Sequence, residues 1–475
     1  MDKKLLKEIL DVSLSKGADF AEIFIEEKQT TGISCEEKKI ERINSGMDIG
    51  AGIRVIAGES TAYTFTNELT KEKLLEIAEV ASKVAKGSKK NTSLDFTVPS
   101  PVVEFDIEIR PDQVNIDDKV DKIKICDSAC RSVDEKIKQV SVGYGDVLQK
   151  VTIANSNGVF VEDERIRTRF VCNAIANDGK SIQTGFSSLG GTRGFEIFKH
   201  NDPKDLGVEA ANRAVLMLSA EGSPSGKMPI VMAAEAGGTM VHEACGHGLE
   251  ADLVQKGLSV YANKKGEKVA SSAVTVVDDA TIAHKYGSYR YDDEGNKGQK
   301  NVLIKDGILE NYMYDYLTAT KDKRESTGNG RRQSYQERPI PRMTNTYIAK
   351  GNDDPEKIVK STKHGLFVKK MGGGQVNTTN GDYVFDVAEG YLIENGEITK
   401  PVKGATLTGN GPETLQMIEM VGNDLGYAIG TCGKEGQGVP VSDAQPTMKI
   451  KELIVGGTLA ATDKQISRDF KIKRI

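Results

Sequence analysis

The sequence predicts an α+β fold in two domains, an N-terminal α/β sandwich-like domain at residues 1–222 and a strand-rich C-terminal domain at residues 223–475. Segments with the apolar spacing of helices alternate in the first half with segments that read as half-buried strands. A chain of 475 residues is long enough for two or three hydrophobic cores. The cluster EGSPSGKMP at residues 221–229 then separates a helical run from a strand, which predicts the domain boundary.

The N-terminal domain begins with a helix, followed by strands and a second helix. Residues 3–16 carry leucine and isoleucine at helical spacing, and Gly17 ends the run. Residues 21–46 and 52–66 alternate apolar and polar side chains, as strands do, and residues 69–86 form an amphipathic helix. The polar connector at residues 87–103 contains two prolines, so this domain divides there into two possible subdomains.

A third helix is predicted from about residue 117 to 136, and Cys126 and Cys130 lie on one face of it as buried small residues rather than as a metal pair. Residues 139–185 predict a strand, a hairpin turn at residues 155–158 and a second strand. The arginines of ERIRTRFVCNAIA are expected on a solvated sheet face, and contact with peptide carboxylates is the less favoured alternative. Residues 205–220 form the last helix before the boundary.

The C-terminal domain reads mainly as strands, including residues 270–278 and residues 300–314 with a turn at 305–307. The acidic run at residues 291–295 is interpreted as a structural turn. The glycine-rich run at residues 372–382 has two interpretations that stay open. It forms either tight sheet turns or a groove that holds an extended peptide by strand addition.

The segment GGTMVHEACGHG at residues 237–248 carries two of the five histidines of the chain. His242 and His247 have the residue type of zinc ligands, and Glu243 between them has that of a general base. Their i, i+5 spacing separates the two side chains by about 140° on a regular helix. A π-bulge or a bend brings them to one face, and Gly246 supplies backbone freedom there. A satisfied polar patch is the alternative interpretation.

A catalytic zinc site needs a third protein ligand and one open position. From the residues alone, the candidates are His200, His284, His364, an acid or a cysteine. Cys245 projects from a different side of the helix, and we interpret it as a packing residue.

The run VHEACGHGLEADL closely resembles the TldD/PmbA family of metallopeptidases. The resemblance continues in SYRYDDEG, GRRQSYQERPIPRMTNTYI, GGGQVNTTNGDYVFDVAEGYLI and GTCGKEGQG, and GIRVIAGESTAYTFT resembles the N-terminal region of the family. It implies the TldD type, which has the metal motif, and it selects Cys432 as the third zinc ligand beside His242 and His247. It also implies peptides or unfolded protein segments as substrates. The implied assembly is a homodimer or a heterodimer with a metal-free PmbA/TldE-like paralogue.

Two functional hypotheses follow. The first is a zinc-dependent peptidase in which Glu243 activates the attacking water. The second is a non-proteolytic binding or regulatory protein with a structural zinc site, because members of the family have been named modulators of DNA gyrase. The net charge of −5, the absence of tryptophan and an aromatic content of 6% argue against nucleic-acid binding. The N-terminus lacks an apolar signal region and no long apolar span follows, so we expect a cytoplasmic protein without a membrane partner.

Overall fold

The computed structural model of the protein describes residues 1–87 and 94–458. Part of the predicted connector at residues 87–103, and the end of the predicted C-terminal domain at residues 459–475, lie outside the described residues. Within the described ranges, helices and strands form a mixed α+β fold. No helix in these ranges combines the length and the apolar composition needed to cross a membrane.

The N-terminal half is built on one antiparallel sheet with the strand order β3-β2-β1-β4-β5-β6. Apolar and polar residues alternate along parts of its long strands, as around Val140, Val142 and Tyr144. Glycines with positive φ, Gly58 and Gly158, turn the chain between β2 and β3 and between β4 and β5. The strands are β1 Phe20–Glu36, β2 Lys39–Ala57, β3 Ser60–Thr66, β4 Ile137–Asn155, β5 Phe160–Asn177 and β6 Ile182–Gly191.

Helices cover one face of this sheet. Near its β1 and β2 end, Leu6 and Ile77 pack with Ile23, and near its β4 and β5 end, Ile123 packs with Phe170. The prediction for Cys126 and Cys130 is confirmed, since both are buried in the second cluster. The helices are α1 Lys3–Ser13, α2 Lys71–Ser82, α3 Ile116–Ser132, α4 Ile197–His200 and α5 Pro203–Ser219.

The opposite face of the sheet packs against the C-terminal half. Arg165 and Arg167 of β5 point to this face and are buried, so the prediction of a solvated arginine face is wrong. Arg165 donates to the carboxylate of Asp293 and to the carbonyl of Tyr291, within the acidic turn that the sequence predicts. Alternation along a strand indicates two faces, but it does not reveal that both are covered.

The C-terminal half contains two further large sheets. One has the order β11-β10-β9-β14-β21-β20, and the other has the order β15-β8-β22-β18-β16-β17-β7 with β19 beside β22. Because β15 also pairs with β16, the strands β15, β8, β22, β18 and β16 close into a ring. The strands are β7 Glu221–Gly222, β8 Gly226–Met232, β9 Val276–Asp279, β10 Lys300–Lys305, β11 Ile308–Leu309, β12 Gly330–Arg331, β13 Ile340–Pro341, β14 Asn345–Ile348, β15 His364–Val376, β16 Asp382–Glu394, β17 Glu397–Lys403, β18 Thr406–Asn410, β19 Ile418–Val421, β20 Gly426–Lys434, β21 Gln437–Gln445 and β22 Met448–Gly456.

Two sequence predictions in this half are only partly correct. The strand expected at residues 270–278 is limited to β9, and the segment 300–314 forms the short hairpin of β10 and β11 around Asp306 and Gly307. Five helices connect the strands: α6 Thr239–Val241, α7 Ala251–Gln255, α8 Tyr316–Lys321, α9 Pro355–Lys360 and α10 Gly411–Gln416. Met240, Cys245 and Leu249 belong to the largest core cluster, so the segment that carries the histidine motif lies inside the C-terminal core.

Candidate metal centre

The histidine motif lies on a helix that changes its winding twice. After α6 it forms a π turn over His242–Gly246 and a 3₁₀ turn over His247–Leu249. The N–H of His247 donates to the carbonyl of His242, five residues earlier. The two rings therefore share one side, with centroids 4.9 Å apart. The prediction of a helix distorted by a π-bulge or a bend is confirmed, and the distortion is a π turn, whose wider winding compensates for the extra residue between the histidines.

The role expected for Gly246 is wrong. Its backbone has φ −51° and ψ −59°, which any residue can adopt. A Cβ at this position would lie 2.2 Å from Sδ of Met343. Glycine is needed here because the helix packs tightly against the segment that precedes β14, not because the π turn strains the backbone.

Cys432 of β20 joins the two histidines. The ligand atoms of His242, His247 and Cys432 all lie within 4.8 Å of one another. Sγ of Cys432 is 3.6 Å from Nε2 of His247. Within the described residues, this is the one such group of three or more possible ligand side chains. His200, His284 and His364 do not belong to it, and Cys245 is buried with its thiol donating to the carbonyl of Val241.

A carboxylate lies within hydrogen-bond distance of Nδ1 of each imidazole. Nδ1 of His242 lies 2.8 Å from Oδ1 of Asp443, and Nδ1 of His247 lies 3.1 Å from Oε2 of Glu250. A protonated Nδ1 that donates to a carboxylate leaves Nε2 as the ligand atom, which is the usual arrangement around zinc-bound histidines. Asp443 reaches its place because it lies opposite Ala428 in the β20–β21 pair, on the same face of the hairpin as Cys432.

Glu250 is itself fixed by basic side chains. Nζ of Lys434 is 3.1 Å from Glu250 and 2.6 Å from Asp252, and the guanidinium of Arg342 is 4.0 Å from Glu250. Arg342 also donates to the backbone carbonyl of Cys432 at 2.6 Å. The same basic residues therefore place one imidazole and the backbone of the thiol ligand.

The electrostatics of the group follow from burial and from these partners. Burial lowers the pKa of His242, but Asp443 and Cys432 outweigh it and raise this pKa well above its ordinary value. Burial also lowers the pKa of His247, but Glu250 and Cys432 outweigh this effect and raise the pKa to about 9. Burial raises the pKa of Cys432, yet the two histidines lower it to about 5.

The donor set fits zinc. Two imidazole nitrogens, each oriented by a carboxylate, and one thiolate are the ligand types that catalytic zinc sites with three protein ligands use. Three protein ligands leave one coordination position for water or substrate, whereas a structural zinc site normally has four.

Glu243 lies on the same turn and is only half-buried. Burial raises the pKa of its carboxyl group, and the neighbouring histidines reduce this effect. Among the described residues, no donor hydrogen-bonds to the Glu243 carboxylate, whereas the carboxylates of Glu250 and Asp443 are both engaged. Its carboxylate is therefore available to a water molecule or a substrate.

A cleft of about 680 Å³ lies beside the motif helix, between the N-terminal and C-terminal halves. Thr239 of α6 and Ile429 of β20 line it on the C-terminal side, and Phe186 of β6 lines it on the other. Gly372 and Gly373 also line it, within an irregular stretch of β15, and the chain turns only at residues 377–381. The glycine-rich run therefore contributes both to the cleft and to a sheet turn.

Four residues of the site were not predicted from the sequence: Asp443, Glu250, Lys434 and Arg342. Glu250 follows His247 by three residues, and an acid at this spacing from a proposed ligand is a usable signal. Asp443 and Lys434 reach the site through strand pairing, and the sequence carries no comparable local signal for them.

Models of known families match three parts of the chain. They are described as PmbA/TldA metallopeptidase domain 1, central domain and C-terminal domain, and they match residues 21–85, 109–218 and 225–457. A metalloprotease TldD homolog of Haemophilus influenzae is 37% identical, over 96% of this chain and 97% of its own length. A metalloprotease of Methanocaldococcus jannaschii is 39% identical, over 90% of this chain and 94% of its own length.

Solved structures share the fold. A candidate modulator of DNA gyrase from Thermotoga maritima superimposes with a TM-score of 0.80 at 23% identity, over 96% of this chain and all of its own. TldE from Thermococcus kodakarensis gives a TM-score of 0.73 at 20% identity, over 95% of this chain and all of its own. At these identities the likeness concerns the fold alone.

Proposed function

Because the chain belongs to the PmbA/TldD metallopeptidase family, we propose that it is a zinc-dependent peptidase that hydrolyses peptides or unfolded protein segments. The observation that carries the proposal is the convergence of His242, His247 and Cys432 beside the available carboxylate of Glu243. Relatives named metalloproteases align along nearly the whole chain, and one from Saccharolobus solfataricus is named a zinc metalloprotease.

In this proposal, Nε2 of His242, Nε2 of His247 and Sγ of Cys432 hold the metal. Zinc in such a shell supplies a Lewis acid that polarises the scissile carbonyl and makes water more acidic. Glu243 accepts the proton of the attacking water and then donates it to the leaving amine. Asp443 and Glu250 keep both imidazoles in the tautomer that presents Nε2 to the metal.

The cleft beside the motif helix is proposed as the substrate site. Its position between the two halves of the molecule supports an extended chain rather than a folded surface as substrate, because a folded domain cannot enter a cleft of this volume. Thr239 in its wall lies one turn before His242 on the same helix, which supports the cleft as the approach of a substrate to Glu243.

For the assembly, we propose a homodimer or a heterodimer with a metal-free PmbA/TldE-like paralogue, since TldE of Thermococcus kodakarensis shares the fold. We place the activity in the cytoplasm. All six cysteines are free and buried, which agrees with a reducing compartment.

The first prediction tests the base. Glu243→Gln keeps the size of the side chain but cannot accept the proton, so we expect cleavage of casein to fall by at least 10²-fold while zinc content stays at the wild-type level. The measurement compares the rates of peptide release by two proteins whose zinc content has been determined spectroscopically and is equal. Glu235→Gln, an exposed glutamate in the segment that leads to α6, serves as the matched control and should retain activity.

Equal rates for the wild type and Glu243→Gln would contradict the peptidase proposal, because the activity would then come from another site. Zinc binding without cleavage in the wild type, alone and with a paralogue subunit, would favour the binding or regulatory hypothesis.

A further inference from the structure

A second cavity, of about 200 Å³, lies between the N-terminal sheet and the β20–β21 hairpin. Thr431, Gly438 and Pro440 of the hairpin line it. Thr431 points to the face opposite Cys432, because neighbouring residues of a strand alternate. The cavity is therefore distinct from the candidate metal centre but lies directly behind it.

The inner wall of this cavity is cationic. Arg167 and Arg331, from β5 and β12, line it and are only 7% and 3% exposed. Arg167 donates to the carbonyls of Tyr286 and Ser288, both at 3.2 Å. Arg331 donates to the carbonyls of Met343 and Pro440.

Neither guanidinium has an anionic partner in the part of the chain that the structure describes. No carboxylate lies within 4.0 Å of Arg167 or Arg331, whereas the adjacent Arg165 pairs with Asp163 and Asp293. A buried guanidinium that donates only to neutral carbonyls lacks the stabilisation that a carboxylate partner provides. Two such charges facing one cavity indicate that something neutralises them.

The acids of the cavity are already engaged. Asp293 accepts from Arg165 and from the backbone of Arg332. Asp292 accepts from the backbone N–H groups of Glu294 and Asn296. These carboxylates cannot also neutralise Arg167 and Arg331 by direct contact.

The protonation energetics agree with this description. Burial and the neighbouring Arg165 and Arg331 lower the pKa of Arg167, and they outweigh Tyr286 and Asp293, which raise it. Burial also lowers the pKa of Arg331, and it outweighs Tyr289, Asp293 and Asp278, which raise it. By contrast, Asp293 and Asp163 more than offset burial and raise the pKa of the paired Arg165.

We propose that this cavity binds a compact oxyanion between the guanidinium groups of Arg167 and Arg331. Guanidinium groups match the geometry of planar or tetrahedral oxyanions through paired N–H donors. The cavity is large enough for a carboxylate or an inorganic phosphate. The mouth of the cavity opens to solvent beside β20, where Thr431 and Gln333 are exposed. The oxyanion can therefore be a free inorganic anion or the side chain of an acidic residue in a bound peptide.

The site stands independently of the peptidase proposal, and it is tested by binding rather than by cleavage. Inorganic phosphate is titrated into the full chain by calorimetry in chloride buffer of constant ionic strength. We expect saturable binding to the wild type and at least tenfold weaker binding to Arg167→Met and to Arg331→Met, since each removes charge-assisted hydrogen bonds. Arg131→Met, which removes an arginine of α3 that pairs with Asp127, is the matched control and should bind phosphate normally.

The second arm identifies the source of the oxyanion. A terminally blocked peptide with one glutamate and its glutamine counterpart are titrated into the Glu243→Gln variant, which cannot consume them in the proposed mechanism. Preference for the glutamate peptide that disappears with Arg167→Met assigns the site to substrate. Binding of phosphate without this preference assigns it to a free anion.

One further variant and one folding measurement guard against misfolding. Arg167→Lys keeps the charge but loses the paired donors, so we expect partial recovery of binding relative to Arg167→Met. Circular dichroism establishes that each variant is folded. Absence of both phosphate and glutamate-peptide binding in the wild type, or equal binding in folded Arg167→Met and Arg331→Met, would overturn the proposal.

Discussion

Asp443 shows how much of the candidate metal centre depends on single residues outside the motif. It contacts His242 at 2.8 Å from a position 201 residues later in the chain. Its carboxylate fixes the ring and increases the basicity of the ligand nitrogen. The centre is thus defined by two ligand–carboxylate pairs as well as by the three ligand atoms.

This contact leads to a prediction at the residue scale. Asp443→Asn keeps the shape but removes the charge, so we expect zinc affinity to fall about 10- to 100-fold. Competition against a chromophoric chelator measures the affinity. Asp382→Asn, an exposed aspartate of β16, is the control. Unchanged affinity in a folded Asp443→Asn protein would show that this carboxylate does not support the metal.

At the scale of elements, the motif helix connects winding to packing. The π turn brings two histidines to one side, and the absence of a side chain at Gly246 lets this turn approach Met343. The two features are separate, since the backbone at Gly246 is ordinary. The site therefore depends on the geometry of this helix and also on its contact with the segment that precedes β14.

Gly246→Ala tests the contact. Its Cβ would meet Sδ of Met343, so we expect a loss of about 1 to 3 kcal/mol in the free energy of unfolding from overpacking. Urea denaturation measures the loss. The double variant with Met343→Ala should lose less than the sum of the two single variants, because the clash is removed.

Gly433→Ala provides the matched control, since a Cβ there meets nothing within 4 Å. Strict additivity of Gly246→Ala and Met343→Ala would contradict the packing explanation.

At the scale of the whole molecule, buried ion pairs join the two halves. Arg54 and Arg332 both contact Glu22, and Arg54 also contacts Glu294 of the acidic turn. Arg165 extends this network through Asp293. Removing one partner leaves the other charged and buried, so each pair resists separation of the halves. The network as a whole nevertheless adds little net stability, because burying the charges costs about as much as their attraction gains.

A pH prediction follows for Asp293. Burial raises its pKa, but Arg165 and Arg332 outweigh this and lower the pKa below its ordinary value. The charged form therefore contributes stability that is fully present above the ordinary carboxyl pKa of about 3.9 and is lost as the pH falls through the lowered value. We expect Asp293→Asn to destabilise the protein by about 3 to 5 kcal/mol at pH 7.

The difference in unfolding free energy between the wild type and Asp293→Asn should stay constant from pH 7 to about pH 5 and shrink below about pH 4. Urea titrations at several pH values measure it. A difference that grows as the pH falls would have the wrong sign for an ionised aspartate.

The sequence by itself determined the local features. Alternation of residue types located the long N-terminal hairpin, including its turn at residues 155–158, because side-chain period and turn chemistry act over a few residues. The spacing of His242 and His247 likewise predicted a π-bulge or a bend, because the winding is a property of one helix, and the structure has a π turn there. The third member of the ligand group stayed open from the residues alone, and only the resemblance to the family selected Cys432.

Tertiary structure decided what depends on distant pairing. The β20–β21 pair places Asp443 and Cys432 on one face, and the packing of two sheets buries Arg165 and Arg167, which the sequence placed in solvent. Strand alternation specifies that a face exists but not what covers it. The carboxylate partner of His242 and the contacts that bury Arg167 in the cationic cavity therefore arise between segments more than a hundred residues apart.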